Sequence, residues 1–164
     1  MSKFVLLIAL MFTSAFADDK EEFPFLGITV STQSISIEGK ENPSETSFGL
    51  QYGKQTVDWR TMFALNFAGN GYKSLDIEID KILLDNVFGM AEFRPYLGLT
   101  AGILQYDDDT LDEESGYYYG ANLGMLVYAT DNIDADISYH YYKVGDLEKV
   151  DTLKGASLSL HYFY

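Results

Sequence analysis

The chain has 164 residues, no cysteine and a formal net charge of −14. It is long enough for one domain, gains nothing from disulfides, and lacks the basic footprint that nucleic-acid binding requires. Although 47% of its residues are hydrophobic, every apolar stretch beyond the N-terminus is broken by polar residues within a few positions. No transmembrane helix is therefore expected, which leaves a closed barrel as the structure that could satisfy its backbone in lipid.

In chain order, the first signal is Lys3, followed by the apolar run Phe4–Phe12 and by Ala15-Phe16-Ala17. A short basic start, an apolar core and a small-x-small site read as a signal peptide over residues 1–17, cleaved before Asp18. The apolar run is well short of the roughly 20 residues needed to span a bilayer as a helix. Residues 18–164 are then the exported domain. Without disulfides, its stability must come from sheet closure and burial.

Eight alternating segments follow, separated by turn residues, and none carries a helical stripe. They are Phe25–Ile37, Ser47–Lys54, Val57–Ala68, Tyr72–Leu83, Ala91–Tyr106, Tyr117–Ala129, Ile133–Lys143 and Gly155–Tyr164. Most reach the roughly 9–11 residues of a tilted transmembrane strand. The third sets Trp59, Phe63, Leu65 and Phe67 against Asp58, Arg60, Ala64 and Asn66. The fourth sets Leu75, Ile77 and Ile79 against Ser74, Asp76, Glu78 and Asp80. The fifth and sixth repeat the pattern, with Arg94, Tyr96, Gly98, Thr100, Gly120, Asn122 and Gly124 on the polar or small face. In the first, Leu26, Ile28 and Val30 have the opposite parity to Ile35 and Ile37, so a bulge or an extracellular extension is expected near Ser31–Ser34.

The connections alternate in length, as they do in outer-membrane barrels. Gln55-Thr56, Asp85–Met90 and Thr130–Asn132 read as periplasmic turns; Glu38–Thr46, Gly69–Gly71, Asp107–Gly116 and Val144–Lys154 read as outer loops. Alternation alone does not say which face is wet. Aromatics at the strand ends suggest two membrane girdles: Phe48, Phe67, Tyr72, Tyr117, Tyr139 and Tyr141 outside, and Phe25, Tyr52, Trp59, Phe93, Tyr162 and Tyr164 inside. A soluble lipocalin-like binding barrel would need an apolar cavity that nothing here reserves. The last strand carries Leu158, Leu160, Tyr162 and Tyr164 on one face behind Gly155. These five residues are the expected C-terminal assembly signal for the barrel-insertion machinery, on a strand that seals against Leu26–Val30.

With those segments in hand, the chain resembles the small eight-stranded outer-membrane barrels of the OmpA-transmembrane, OmpX and opacity-protein type. The resemblance rests on Arg94–Gly102, Tyr119–Gly124, Thr130–Ile133 and the closing strand. It implies an all-β, eight-stranded antiparallel up-and-down transmembrane β-barrel in the bacterial outer membrane, in contact with lipid and lipopolysaccharide. The peptidoglycan-binding domain of full-length OmpA-type proteins is not expected after Tyr164. Activity varies widely among such barrels and is not implied.

An eight-stranded barrel has an interior that side chains just fill. A lumen salt-bridge cluster is expected from Arg60 and Arg94 with Glu78, Asp80 and Asp136. An unpaired buried arginine would cost several kcal/mol. The polar face also carries Asp58, Asp76, Glu92 and Asp134, an acid excess that calls for hydration, protonation or a small cation. His140 and His161 are expected to face the lumen. His140 faintly resembles the His-x-Ser motif of PagL-type deacylases, but Tyr142 stands where the serine belongs. No catalytic, cofactor-binding or metal-ligating set is therefore expected. The acidic run Asp107–Glu114 lacks the glycine and closing Glu positions of a calcium loop; it reads as a solvated loop facing lipopolysaccharide. The expected role is that of a structural or surface-interaction, adhesin-like protein taking an extracellular ligand through its outer loops. A lipid-A-modifying enzyme and a narrow pore are the alternatives.

Overall fold

The computed structural model describes residues 21–37, 44–69, 71–83, 92–106, 114–146 and 150–164. The signal peptide expected over 1–17, the turn expected over 85–90 and nearly all of the acidic run lie outside the described residues. The chain forms eight strands: β1 (Phe23–Ile37), β2 (Ser44–Gln55), β3 (Trp59–Ala68), β4 (Lys73–Ile82), β5 (Phe93–Tyr106), β6 (Glu114–Thr130), β7 (Ile133–Gly145) and β8 (Val150–Phe163). Each pairs antiparallel with its successor, and β8 closes on β1.

Local chemistry sets the reversals. Between β2 and β3, the Thr56 hydroxyl accepts bonds from the backbone N–H groups of Asp58 (3.3 Å) and Trp59 (3.1 Å). The turn therefore extends to Asp58. Between β3 and β4, Gly71 takes φ = 72°, a left-handed conformation that glycine adopts without steric cost. Between β7 and β6, Asn132 ties the turn to the closing strand: its side-chain amide donates to the Phe163 carbonyl at 3.1 Å, and its own carbonyl accepts from the Phe163 N–H at 2.9 Å.

Several details differ from the sequence reading. The pairing of β1 with β2 runs unbroken from Phe23↔Gln55 to Ser34↔Ser44, so no bulge lies at Ser31–Ser34. Ser31 and Gln33 continue the buried row of Thr29, and the register shift falls between Ser36 and Ile37, opposite β8. Strands β6 and β8 begin several residues nearer the outer loops than their apolar alternation does, because ladder pairing beyond the lipid needs no apolar face.

The barrel is inside-out relative to a soluble protein. Leu97, Leu99 and Ile103 on β5 are 57%, 69% and 62% exposed, whereas Arg60, Asp80 and Asp134 are 0% exposed. A soluble ligand-carrying barrel has the reverse arrangement. A continuous apolar exterior of this kind is stable only against lipid. Phe48, Phe67, Tyr117, Tyr139 and Tyr141 are exposed at the outer end, and Tyr52, Trp59, Phe93, Tyr162 and Tyr164 at the inner end. Two aromatics read as girdle residues are not: Tyr72 and Phe25 are 3% and 0% exposed. Phe25 shares the lumen parity of Thr29, and Tyr72 turns in over the barrel mouth.

Placing a charge on this exterior tests the membrane assignment. Leu99→Arg, midway along β5, should destabilise the barrel by about 2–4 kcal/mol in reversible unfolding from phospholipid vesicles. Leu99→Ile should leave the transition nearly unmoved.

Candidate functional site

The side chains that alternate inward fill the lumen in layers. At the outer end Tyr72, Leu104, Tyr118, Tyr142 and Leu153 pack into an apolar cap, with Ala68 and Val144 against it. Near the inner end Ile82, Tyr96 and Leu126 form a second cap supported by Tyr128. A polar layer lies between them, carried mainly by β3, β4, β5, β6 and β7.

Arg60 is the centre of that layer. Its Nε donates to Asp80 Oδ2 at 2.7 Å. Its Nη2 lies 2.7 Å from Asp136 Oδ2 and 3.6 Å from Glu78 Oε1. Its guanidinium carbon stands 4.6 Å from the centroid of the Tyr96 ring, so the planar cation is stacked as well as paired. The cross-strand register Arg60↔Asp80 explains the first contact; the reach to Asp136 on β7 exists only because the sheet curls round.

The structure therefore brings Glu78, Asp80 and Asp136 to Arg60. Arg94 is placed elsewhere, with its guanidinium 5.2 Å from the centroid of the Tyr128 ring. Of the other acids assigned to the polar face, Asp58 lies in the β2–β3 turn and Glu92 is exposed beside the start of β5. Five carboxylates remain buried: Asp76, Glu78, Asp80, Asp134 and Asp136. Neutral donors solvate much of their charge. Tyr96 donates to Asp136 at 2.9 Å, Tyr118 to Asp76 at 2.6 Å, Asn66 to Asp76 at 3.0 Å, Asn122 to Asp80 at 3.0 Å and Thr100 to Glu78 at 3.2 Å. Sequence reasoning placed Tyr96, Thr100 and Asn122 on the polar face but did not join them to the arginine. Their lumen parity was the available signal, and their partners depended on register across three strands.

A second constellation locks the seam. His161 Nδ1 lies 2.7 Å from Asp134 Oδ1 on β7, and its Nε2 lies 2.9 Å from Gln51 Oε1 on β2. This bridge passes over β1 at Gly27, which pairs with both Gln51 and His161. A Cβ at Gly27 would overlap the imidazole ring; only glycine leaves room for the clamp. Phe25 covers His161 at 4.7 Å between ring centroids.

His140 is 4% exposed and stacks on Tyr142 at 4.8 Å. Ser157 Oγ lies 3.4 Å from its Nδ1, and Ser138 donates to Ser157 at 3.2 Å. The sequence reading looked for a serine two positions along the same strand, whereas the neighbouring serine belongs to β8. This pair lies inside the barrel, beneath the outer cap. Of the assembly-signal residues, Leu158, Leu160, Tyr162 and Tyr164 face outward, while Gly155 faces inward against the Thr32 backbone of β1. The seam pairs Leu26↔Tyr162, Ile28↔Leu160 and Val30↔Leu158.

A closed eight-stranded sheet, apolar outside and charged inside, with aromatic belts at both ends, defines a class: the small outer-membrane β-barrel proteins. Solved structures agree with that architecture. The chain is similar to the Neisserial surface protein A, NspA, at a TM-score of 0.68 with 17% identity, covering 86% of this chain and 97% of that one. Outer membrane protein H, OprH, of P. aeruginosa gives 0.62 and 17%, over 87% and 99% of the two chains. Ail, the attachment invasion locus protein of Yersinia pestis, gives 0.57 and 17%, over 88% and 99%. The bacterial outer membrane is the setting that this fold and this exterior share. No protein-family model matches the sequence, and no curated protein matches it.

Two substitutions probe the interior. Arg60→Ala strands three buried carboxylates and should cost about 3–5 kcal/mol in unfolding experiments, whereas Arg94→Ala should cost much less. Gly27→Ala should force His161 aside and lose about 1–3 kcal/mol. Gly69→Ala, at a site where nothing lies within 4 Å of the added carbon, is its control.

Proposed function

We propose that the protein is a non-enzymatic outer-membrane barrel with a plugged lumen, acting as a structural or surface-interaction, adhesin-like protein. The observation that carries this reading is the filled interior. Arg60, 0% exposed, lies between two apolar caps, which supports a barrel closed to solute passage and substrate entry. What remains for function is the lipid-facing wall and the outer loops.

The names of similar proteins support the same direction: one is a surface protein and another an attachment invasion locus protein. Ail has also been solved with the heparin analogue sucrose octasulfate. For this chain, an extracellular ligand taken through the outer loops is the corresponding proposal. Residues 1–17 are proposed to direct export and to be removed, leaving 18–164 as the barrel domain. Gly155, Leu158, Leu160, Tyr162 and Tyr164 are proposed to present the closing strand to the insertion machinery.

His140 with Ser157 is the arrangement that an enzyme reading would use, since a hydroxyl next to an imidazole is the start of a nucleophile–base pair. The apolar cap above it supports the non-enzymatic reading, since it stands between this pair and an acyl chain. Cells displaying the protein should adhere to an extracellular-matrix or host-cell surface more than vector controls, with lipid A of unchanged mass. The purified protein in planar bilayers should show no stable openings on the nanosiemens scale. Such openings would overturn the plug, a new lipid A species would overturn the non-enzymatic reading, and equal adhesion would overturn the adhesin-like one.

A further inference from the structure

Four strands contribute to one row at the inner end of the seam. Asp134 on β7 pairs with His161 on β8, His161 with Gly27 on β1, and Gly27 with Gln51 on β2. Gly27 carries no side chain, so the His161 ring reaches across β1 to Gln51 at 2.9 Å. The three side chains form a cross-bar from β7 to β2, on the lumen side of the strand that the seam must hold. One inward position nearer the outer end, the Ser159 hydroxyl of β8 donates to Thr29 of β1 at 2.9 Å.

The two halves of the bar differ in how far apart their residues lie in the chain. Asp134 and His161 are 27 positions apart and belong to the β7–β8 hairpin, so that contact forms with the hairpin. His161 and Gln51 are 110 positions apart, and they meet only where β8 lies beside β1. Arg60 and Asp80 are 20 positions apart, and Glu78 and Asp136 reach the same arginine from β4 and β7. That layer needs a curled sheet but not a sealed one. Contacts between distant residues carry the largest loop-closure cost and form late.

We infer that the His161–Gln51 bond is a latch: it forms after the β1–β8 seam has closed, and it slows reopening without hastening closure. Until the ladder sets Gly27 between its two partners, the imidazole and the amide are out of reach of each other. Asp134 orients the ring beforehand, from within the hairpin. Reopening moves β8 away from β1, and Gln51 travels with β1 through the β1–β2 ladder, so the latch must break. An interaction absent from the folding barrier changes the unfolding rate and leaves the folding rate nearly unmoved. Slow reopening has a use in a bilayer, because an open seam exposes unpaired N–H and C=O groups of two strands to lipid.

The test refolds the parent protein and Gln51→Leu into phospholipid vesicles, following the folded form by its gel mobility without heating. Unfolding is then timed in urea. Gln51→Leu should unfold about tenfold faster, the effect of leaving a buried ring nitrogen without its partner, and should fold within about twofold of the parent rate. Amide hydrogen exchange in micelles locates the opening: exchange should rise along the β1–β8 ladder and stay unchanged along β3–β4. Asn66→Ala, which removes a 3.0 Å bond to Asp76 between β3 and β4, should leave seam exchange as in the parent. Ser159→Ala removes the second side-chain tie across the seam and should show the same kinetic split on a smaller scale. It carries the test where Gln51→Leu does not fold. Slower folding with unchanged unfolding would overturn the latch. So would unchanged rates in both directions, or seam exchange raised equally by Asn66→Ala.

Discussion

Inside a bilayer no water is available to pair a stray N–H or C=O, so every backbone polar group must find a partner within the protein. The β1–β8 seam is where this chain meets that demand. Its ladder runs from Phe25↔Phe163 to Ile37↔Val150 with one shift, and it leaves the sheet without a membrane-level edge. Closing at eight strands then sets the width of the interior. Every residue with the inward parity must fit there, and every residue with the outward parity must tolerate lipid.

That width turns charge into plug. Arg60 has lost its water entirely, and ions in such a setting are stable only when paired and hydrogen-bonded. Asp80, Asp136 and Glu78 supply the pairing, and the Tyr96 ring takes one face of the guanidinium. The remaining negative charge is met mostly by Tyr, Asn and Thr donors rather than by more cations. A chain with only two arginines can thus bury five carboxylates. Glycine takes part in this arrangement: at Gly98 a side chain would collide with Asp80 and Asn122, the two groups that bond across it.

The proposed function lies at the surface because the lumen is filled. The inner and outer caps isolate the polar layer, and the wall around them is apolar wherever lipid touches it. The same geometry buries the His140–Ser157 pair beneath the outer cap.

The sequence by itself determined the strand number, the alternation, the closing strand and its partner Leu26–Val30, because period-two patterning is a local property read residue by residue. It also placed Glu78, Asp80 and Asp136 with Arg60 on one face. The tertiary structure alone decided which of those groups meet. Arg94 shares the parity and the residue type, yet stands over Tyr128; Asp58 shares the parity but lies in a turn held by the Thr56 hydroxyl. Tyr96, Asn122 and Thr100 became donors to the charged layer, and Tyr72 and Phe25 became caps rather than girdle. The physical reason is register around a closed cylinder. Parity says which face a side chain takes, but its height and the residue opposite depend on strand stagger and curvature, which no single strand contains.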